Sequence, residues 1–251
     1  MADRLRSRGS VRTAVVWQVL RDALAERAKT AGRDTLDILD AGGGTGGFAV
    51  PLAELGHRVT VVDPSPDALA ALERRAAETG VTERIRGLQG DVAGLLEVVE
   101  RGSADVALCH GVLEFVDDPA EALRNVASAL RAEGMVSILA ANRNAAVLNR
   151  AITGHFAEAR RALDDPHGRW GAADLMPRRF VLDELVDLVR QAALVVGQVH
   201  GIRVFSDLVP GTLLDAEPGA LDELVALEAA AAERPAFQAF ASQLHLLATR
   251  G

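Results

Sequence analysis

A glycine cluster that follows a short apolar run constrains the fold of this chain more than any other feature. The run Leu36–Leu39 predicts a buried strand, and Asp40 and a glycine-rich stretch come directly after it. Glycines at a turn from a strand into a helix let the backbone approach a ligand closely, because no Cβ stands in the way. The pattern therefore predicts a cofactor site at the end of the first strand. The glycine-rich stretch comprises Gly42, Gly43, Gly44, Thr45, Gly46 and Gly47.

Apolar runs alternate with helix-like stretches along most of the chain. Strands joined by helices form parallel sheets with helices on both faces. We therefore predict an α/β fold with a doubly wound, Rossmann-like sheet of seven strands. The predicted strands after the first are Val59–Val62, Ile85–Leu88, Val106–Cys109, Met135–Ala140, Val195–Phe205 and Leu244–Ala248.

The domain organisation predicted from these 251 residues is a single domain, 1–251, with two additions. Apolar periodicity predicts an N-terminal helix over 10–32. The alternation of strands and helices breaks over 142–180, which is polar, rich in arginine and interrupted by Pro166 and Pro177. We predict that 142–180 is an insertion after strand five, lying on the substrate side of the sheet.

Composition argues against several classes of protein. A formal net charge of −8 disfavours a protein that coats nucleic acid non-specifically, although residues 150–179 carry six arginines. Cys109 is the single cysteine, so an intramolecular disulfide and a cysteine-based zinc site are excluded, and we predict no metal. No apolar run is long enough for a membrane span, and no secretory signal is evident. We therefore expect a cytoplasmic protein without membrane contact.

Asp40 decides between two cofactors that suit a glycine turn. Gly42, Gly44 and Gly47 match the dinucleotide fingerprint, which makes an NAD enzyme the first alternative. A carboxylate beside the turn would repel a pyrophosphate, whereas it favours the sulfonium and ammonium groups of S-adenosylmethionine. Asp63 ends the second strand seventeen residues after Gly46, which is the spacing of an acceptor for ribose hydroxyls. The sequence thus favours S-adenosylmethionine.

Later strand ends supply further candidates for the cofactor site. Asp91 follows strand three and is a candidate acceptor for the adenine amino group, although it would serve equally as a helix N-cap. His110 follows strand four, where we favour cofactor contact over a purely structural hydrogen bond. Cys109 is interpreted as a core residue and not as a nucleophile. Pro64 and Val92 complete the predicted cofactor set as neighbours of these acids.

Several segments outside the glycine cluster resemble a known family. The chain is similar to class I S-adenosylmethionine-dependent methyltransferases and, more closely, to the bacterial tRNA 5-carboxymethoxyuridine methyltransferase family, from about residue 9 to 249. The matching segments are 9–12, 14–18, 39–44, 56–57, 110–114, 201–205, 224–228, 234–235 and 244–245.

This resemblance implies a reaction, a cofactor and one further site residue. The implied reaction transfers a methyl group from S-adenosylmethionine to the carboxylate of a modified wobble uridine in tRNA, leaving a methyl ester and S-adenosylhomocysteine. In that family an arginine of the amino-terminal helix joins the cofactor site, and Arg12 occupies the matching position. Arg12 would then pair with the methionine carboxylate of the donor.

A carboxylate acceptor would simplify the catalytic requirements. Because it is already ionised at neutral pH, its methylation needs no general base, and no residue is assigned as one. Arginines are suited to orient such an anion, and the candidates are Arg178, Arg179 and Arg203, each of which would otherwise be a surface residue. Two alternatives stay open: a small-molecule carboxyl- or O-methyltransferase acting on a small carboxylic acid, and a protein that binds the donor without catalysis.

Overall fold

The computed structural model describes the backbone of residues 2–251 and the side chains of 12–214 and 217–251. The chain divides into two compact units. Unit 1 comprises the chain up to Asp22, Ala140–Leu185 and Val199–Leu246. Unit 2 comprises Ala23–Leu139, Val186–Gln198 and Leu247–Gly251. The single domain expected from the sequence stays a prediction.

Seven strands form one sheet in the order β3-β2-β1-β4-β5-β7-β6. The pairs β1–β2, β2–β3, β1–β4 and β4–β5 are parallel. Strand order reverses beside β1, which is where open α/β sheets bind ligands. The predicted doubly wound, seven-stranded α/β fold is confirmed. The strands are β1 (Asp37–Ala41), β2 (Arg58–Asp63), β3 (Ile85–Gln89), β4 (Ala104–His110), β5 (Leu130–Ala141), β6 (Leu194–Ile202) and β7 (Gln243–Arg250).

Helices connect these strands and follow the predicted alternation. None of the described helices is both long and apolar enough to cross a bilayer. The helices are α1 (Ala2–Ala31), α2 (Ala49–Glu54), α3 (Pro66–Thr79), α4 (Leu95–Val98), α5 (Pro119–Ala129), α6 (Arg143–Ile152), α7 (Phe156–Asp164), α8 (Leu182–Gln191), α9 (Gly211–Ala216), α10 (Ala220–Ala232) and α11 (Pro235–Gln238).

The core of unit 2 lies along its central strands. Every residue of β4 before His110 is buried, as are the last four residues of β1. A strand buried on both faces reads as a nearly continuous apolar run, which explains why both strands were recognisable in the sequence. Polar side chains are consequently concentrated at the strand ends, where Asp40 and His110 occur.

Several element boundaries differ from the prediction. Helix α1 begins at Ala2 instead of residue 10, and β5 begins at Leu130 instead of Met135. Strand β6 ends at Ile202, three residues before the predicted end at Phe205. The physical reason for the third difference is Arg203, whose backbone has φ of 60° and cannot continue a strand.

The predicted insertion begins and ends where its two flanking residues pair. Asn142 and Phe180 form an isolated parallel bridge, and the Phe180 N–H donates to the carbonyl of Ala141 at 2.9 Å. Between them lie α6, α7 and an irregular stretch. The segment 142–180 is therefore a part of unit 1 whose two ends lie side by side.

A buried carboxylate anchors the amino-terminal end of β4 within unit 2. Asp105 is 1% exposed, accepts from the Asp37 N–H at 2.8 Å and forms ion pairs with Arg33 and with Arg131 at 3.0 Å, while Arg27 lies 3.9 Å away. Burial by itself raises the pKa of Asp105, but the hydrogen bonds and charges outweigh burial and the net pKa is lowered. The ionised form therefore stabilises the fold at neutral pH.

We predict that Asp105→Asn lowers the free energy of unfolding by about 2–4 kcal/mol at pH 7, because it leaves the guanidinium groups around it without their shared counter-charge. Urea unfolding followed by circular dichroism measures this. Because its pKa is lowered, ionised Asp105 contributes its full stabilisation above the ordinary pKa of 3.8 and loses it as the pH falls further. The difference in unfolding free energy between the parent and Asp105→Asn should therefore narrow below that pH. The control is Asp34→Asn, at an exposed aspartate; equal losses in both variants would contradict the prediction.

Candidate functional site

The glycine turn of unit 2 adopts a backbone that other residues rarely adopt. Gly42, Gly44 and Gly46 have φ of 77°, 56° and 80°. A Cβ on Gly43 would lie 2.5 Å from the carboxyl carbon of Asp40. A Cβ on Gly46 would collide with Leu72. Positive φ and lack of room thus require glycine at these positions, and the turn brings backbone N–H groups to the carboxyl edge of the sheet.

Asp63 holds the turn from the end of the neighbouring strand. Its Oδ2 accepts from the Gly44 N–H at 2.9 Å, and its Oδ1 accepts from the Ser65 N–H at 2.9 Å. The side chain is 8% exposed. A carboxylate has about four acceptor positions, so roughly two remain for a ligand beside the turn. This arrangement suits a ligand with neighbouring hydroxyl groups.

Asp40 is buried next to the turn without a protein partner for one oxygen. Its side chain is 3% exposed, and its Oδ2 has no hydrogen-bond partner among the described residues. Burial and, secondarily, the charge of Asp63 raise the pKa of Asp40 to about 7. A buried acceptor without a donor is costly, so such an atom points to a group that a ligand supplies. A cationic ligand group would stabilise the ionised form.

The candidates after β3 lie at the same edge. The Gly90 N–H donates to the carbonyl of Asp63 at 3.2 Å, which places the two strand ends side by side. Asp91 is exposed, and its Oδ1 accepts from the Gly94 N–H at 2.7 Å. Asp91 therefore holds the turn that precedes α4 but is not its N-cap, which is Gly94, and its role toward the adenine amino group stays a prediction. Val92 is buried and Pro64 is exposed.

His110 is the last residue of β4, and its imidazole is neutral at physiological pH. Its Nε2 lies 2.8 Å from Ser137 Oγ, and its ring meets the Phe48 ring edge-on at 4.7 Å between centroids. Burial lowers the pKa of His110 to about 3, so the imidazole is a poor proton acceptor. Cys109 is fully buried within β4, and burial raises the pKa of its thiol, which agrees with a core residue.

A second candidate site is an arginine-lined cavity inside unit 1, which we call the arginine cavity. Its volume is about 260 Å³, and Arg150, Arg179 and Arg203 line it together with Trp170 and Asp207. Two of the three predicted acceptor arginines are thus brought together. Arg178 is half-buried and is not among the described residues that line the cavity.

Each arginine of the cavity is held by an acid. Arg179 forms a bidentate ion pair with Asp174, in which its Nη1 and Nη2 donate to Oδ2 and Oδ1 at 2.8 and 3.0 Å. Arg150 lies 3.1 Å from Glu158, and its guanidinium stacks 3.7 Å from the centre of the Trp170 ring. These contacts fix the guanidinium planes, and each guanidinium carries five N–H donors, more than one carboxylate can accept.

Asp207 is shared by two arginines of unit 1. Arg203 Nη2 lies 2.5 Å from Asp207 Oδ2, and Arg12 Nη2 lies 3.5 Å from Asp207 Oδ1. The Nε of Arg203 is buried without a hydrogen-bond partner among the described residues. Arg12, expected to pair with the donor's carboxylate, is thus placed by the structure beside Asp207, and its role toward the donor stays a prediction.

Sequence reasoning missed several residues of the arginine cavity. Nothing in the sequence indicated that Arg150, Trp170 and Asp207 lie in one site. No motif marks them, because α6, the loop after α7 and the loop after β6 are far apart in the sequence. Within the part of the chain described structurally, no three His, Cys, Asp or Glu side chains are grouped as metal ligands would be.

Comparison with known proteins agrees with this geometry. The family described as "Methyltransferase domain" matches residues 39–136, which contain the glycine turn, Asp63, Asp91 and His110. A tRNA 5-carboxymethoxyuridine methyltransferase of Escherichia coli (strain K12) is 34% identical over 153 residues, 60% of this chain and 56% of the relative. The chain therefore matches little more than half the length of that relative.

Two further comparisons extend the match. A ubiquinone biosynthesis O-methyltransferase of Paraburkholderia phymatum is 30% identical over 166 residues, covering 66% of this chain and 67% of the relative. The crystal structure of an S-adenosylmethionine dependent methyltransferase from Mesorhizobium loti superposes with a TM-score of 0.63 at 21% identity, over 96% of this chain and 100% of that one, which establishes the fold. The chain therefore belongs to the methyltransferase-domain family and has the Rossmann-like fold of S-adenosylmethionine-dependent methyltransferases.

Proposed function

We propose that this protein is a methyltransferase that takes S-adenosylmethionine as donor and a carboxylate of tRNA as acceptor. The observation that carries the donor assignment is the buried, unpartnered Oδ2 of Asp40 beside a glycine turn. A phosphate-bearing cofactor would bring negative charge to that oxygen, whereas S-adenosylmethionine brings a sulfonium and an ammonium.

The residues of unit 2 fit this donor in distinct roles. Asp63 accepts from the ribose hydroxyls with the acceptor positions that Gly44 and Ser65 leave over. Asp40 supplies negative charge for the cationic part, and Gly42–Gly46 let the backbone approach it closely. Asp91, with Pro64 and Val92 as its surroundings, faces the base. Arg12 is proposed for the methionine carboxylate by resemblance alone.

Asp63→Asn should weaken binding of S-adenosylhomocysteine by roughly 1–3 kcal/mol, because the ribose hydroxyls lose one charged acceptor. Isothermal titration calorimetry measures the dissociation constant. Asp67→Asn, an exposed aspartate in the first turn of α3, is the matched control and should bind normally. An unchanged constant for Asp63→Asn would remove this residue from the site, and tight binding of NAD without the donor would overturn the donor assignment.

Binding of S-adenosylmethionine should weaken about tenfold between pH 8 and pH 6, because Asp40 takes up a proton near pH 7 and loses the charge that attracts a cation. Because the pKa of Asp40 is raised to about 7, its carboxylate attracts the cationic donor above that pH and loses its charge as the pH falls through it. Titrations of the parent and of Asp40→Asn across this range test it. The asparagine variant should lack the decline, and parallel profiles would contradict the role of Asp40.

The acceptor assignment rests on the arginine cavity and on His110. The buried Nε of Arg203 is a charged donor without a partner among the described residues, which suits an anion. A hydroxyl or phenol acceptor needs a base to remove its proton, and the low pKa of His110 makes that imidazole unsuited to the task. A carboxylate is ionised already and needs none.

The assignment to tRNA is supported by the relative of Escherichia coli and by the surface of 142–180. Phe156 is 71% exposed on α7, and an exposed aromatic ring can stack on an unpaired base. Arg160 and Arg161 are exposed on the same helix, where they are available to phosphates. These features support a tRNA acceptor over a small carboxylic acid, which would need the cavity alone.

The proposed mechanism assigns the protein to binding and orientation. When bound, S-adenosylmethionine supplies an electrophilic methyl group. Arg203 and Arg179 hold the acceptor carboxylate, fixing the direction of its attacking oxygen. Neutral His110 adds no positive charge that would oppose the sulfonium, and the buried surroundings of Asp40 limit access of water.

The deciding experiment offers labelled donor and unfractionated tRNA from an Escherichia coli strain that lacks its own tRNA 5-carboxymethoxyuridine methyltransferase. We expect methyl transfer to tRNA. Arg203→Gln should lower turnover at saturating tRNA roughly 10–100-fold, since an orienting contact is lost. Arg160→Ala with Arg161→Ala should instead flatten the salt dependence of binding and spare turnover. Methylation of a small carboxylic acid but not of tRNA would overturn the tRNA assignment.

A further inference from the structure

The loop after β6, residues 203–207, supplies two charged residues of the arginine cavity, Arg203 and Asp207. Strand β6 ends at Ile202, and Arg203 then adopts φ of 60°, a left-handed backbone rare outside glycine. Arg203 begins the loop and Asp207 ends it, and both line the cavity. Strained backbone that persists at such a position needs surrounding contacts that hold it.

Those contacts converge on one buried side chain, Glu228 of α10. Its Oε2 accepts from the Val204 N–H at 2.8 Å, and its Oε1 accepts from the N–H groups of Phe205 at 3.0 Å and Ser206 at 2.7 Å. Glu228 is 2% exposed. Three successive N–H groups that the end of β6 leaves without strand partners are therefore satisfied by a single carboxylate.

Apolar packing and the start of β7 hold the same loop from other sides. Val204 packs with Ala231 and Ala241, and Phe205 lies against this cluster. The Ser242 N–H donates to the carbonyl of Arg203 at 3.2 Å, and the Ser242 hydroxyl donates to Asp207 at 2.8 Å. The middle of the loop is thus anchored in unit 1, while its two ends present charged side chains to the cavity.

We propose that Glu228 is a positioning residue for Arg203, setting the guanidinium geometry that recognises the acceptor carboxylate. This inference rests on the proposed function of the arginine cavity. Glu228 itself touches no acceptor; it acts through the backbone of 204–206, which determines where Arg203 projects. Loss of its charge frees those N–H groups to seek other partners and lets Arg203 leave its left-handed conformation.

The two tryptophans of the chain allow the cavity to be followed directly. There is no tyrosine, and Trp17→Phe leaves Trp170, which lines the cavity, as the single tryptophan. In this background, Trp170 fluorescence is titrated with the nucleoside 5-carboxymethoxyuridine and with its methyl ester. The pair differs by one negative charge and one methyl group, so the ratio of the two dissociation constants measures recognition of the carboxylate.

Glu228→Gln should weaken binding of the carboxylate nucleoside about tenfold and binding of its methyl ester less than about twofold, since only the charged contact depends on Arg203. Glu223→Gln, an exposed glutamate on the same helix, is the matched control and should leave both constants unchanged. Thermal unfolding followed by circular dichroism checks that each variant is folded, and binding of S-adenosylhomocysteine checks the donor site proposed in unit 2. A merely structural role of Glu228 would weaken both nucleosides alike.

A double-mutant cycle keeps the inference testable if Glu228→Gln is partly unfolded. In an Arg203→Gln background, Glu228→Gln should weaken binding of the carboxylate nucleoside by less than a further twofold or so, because Glu228 acts on the acceptor only through Arg203. Additive losses would overturn the inference, as would equal binding by Glu228→Gln and the Trp17→Phe parent. A parent that binds neither nucleoside while still binding S-adenosylhomocysteine would overturn both this inference and the acceptor assignment, leaving the donor assignment intact.

Discussion

The burial of parallel strands is the constraint from which the donor site follows. Inside β1 and β4 a polar side chain would have to leave water without a partner, so the interior of these strands is almost wholly apolar. Polar side chains therefore lie at the strand ends, and Asp40, Asp63 and His110 lie at the carboxyl ends of their strands. The glycine turn lies at the same edge of the sheet. Only glycine, which has no Cβ, leaves room for so tight a turn against Asp40.

Each candidate site contains a buried polar atom that has no hydrogen-bond partner among the described residues and that suits a ligand of the proposed charge. In unit 2 the atom is a carboxylate oxygen of Asp40, and in unit 1 it is the Nε of Arg203. The first is an acceptor and the second is a charged donor. A cation and an anion are the respective groups that satisfy them, which matches a sulfonium donor and a carboxylate acceptor.

The arginine cavity shows how positive charge is retained without destabilising the fold. Arg150, Arg179 and Arg203 each lie against an acid, so their mutual repulsion is offset locally. An acid also orients the guanidinium it binds, since the fork geometry permits few arrangements. In the proposed function the cavity recognises an anion by the directions of the remaining N–H groups and not by excess charge alone, which agrees with a chain of net charge −8.

The sequence alone predicted the residues of the proposed donor site. Strand, glycine turn and terminal acid are consecutive or regularly spaced, so periodicity and composition suffice to predict Asp40, Asp63 and the seven-stranded α/β fold. Only the tertiary structure assembles the proposed acceptor site, although the sequence had already named Arg179 and Arg203 as candidates. Arg150, Trp170 and the loop that carries Arg203 and Asp207 come from three separate segments without a shared period, and the role proposed for Glu228 depends on backbone N–H groups that any residue but proline carries. Sequence patterns report local contacts, whereas these residues are related only by the path of the folded backbone.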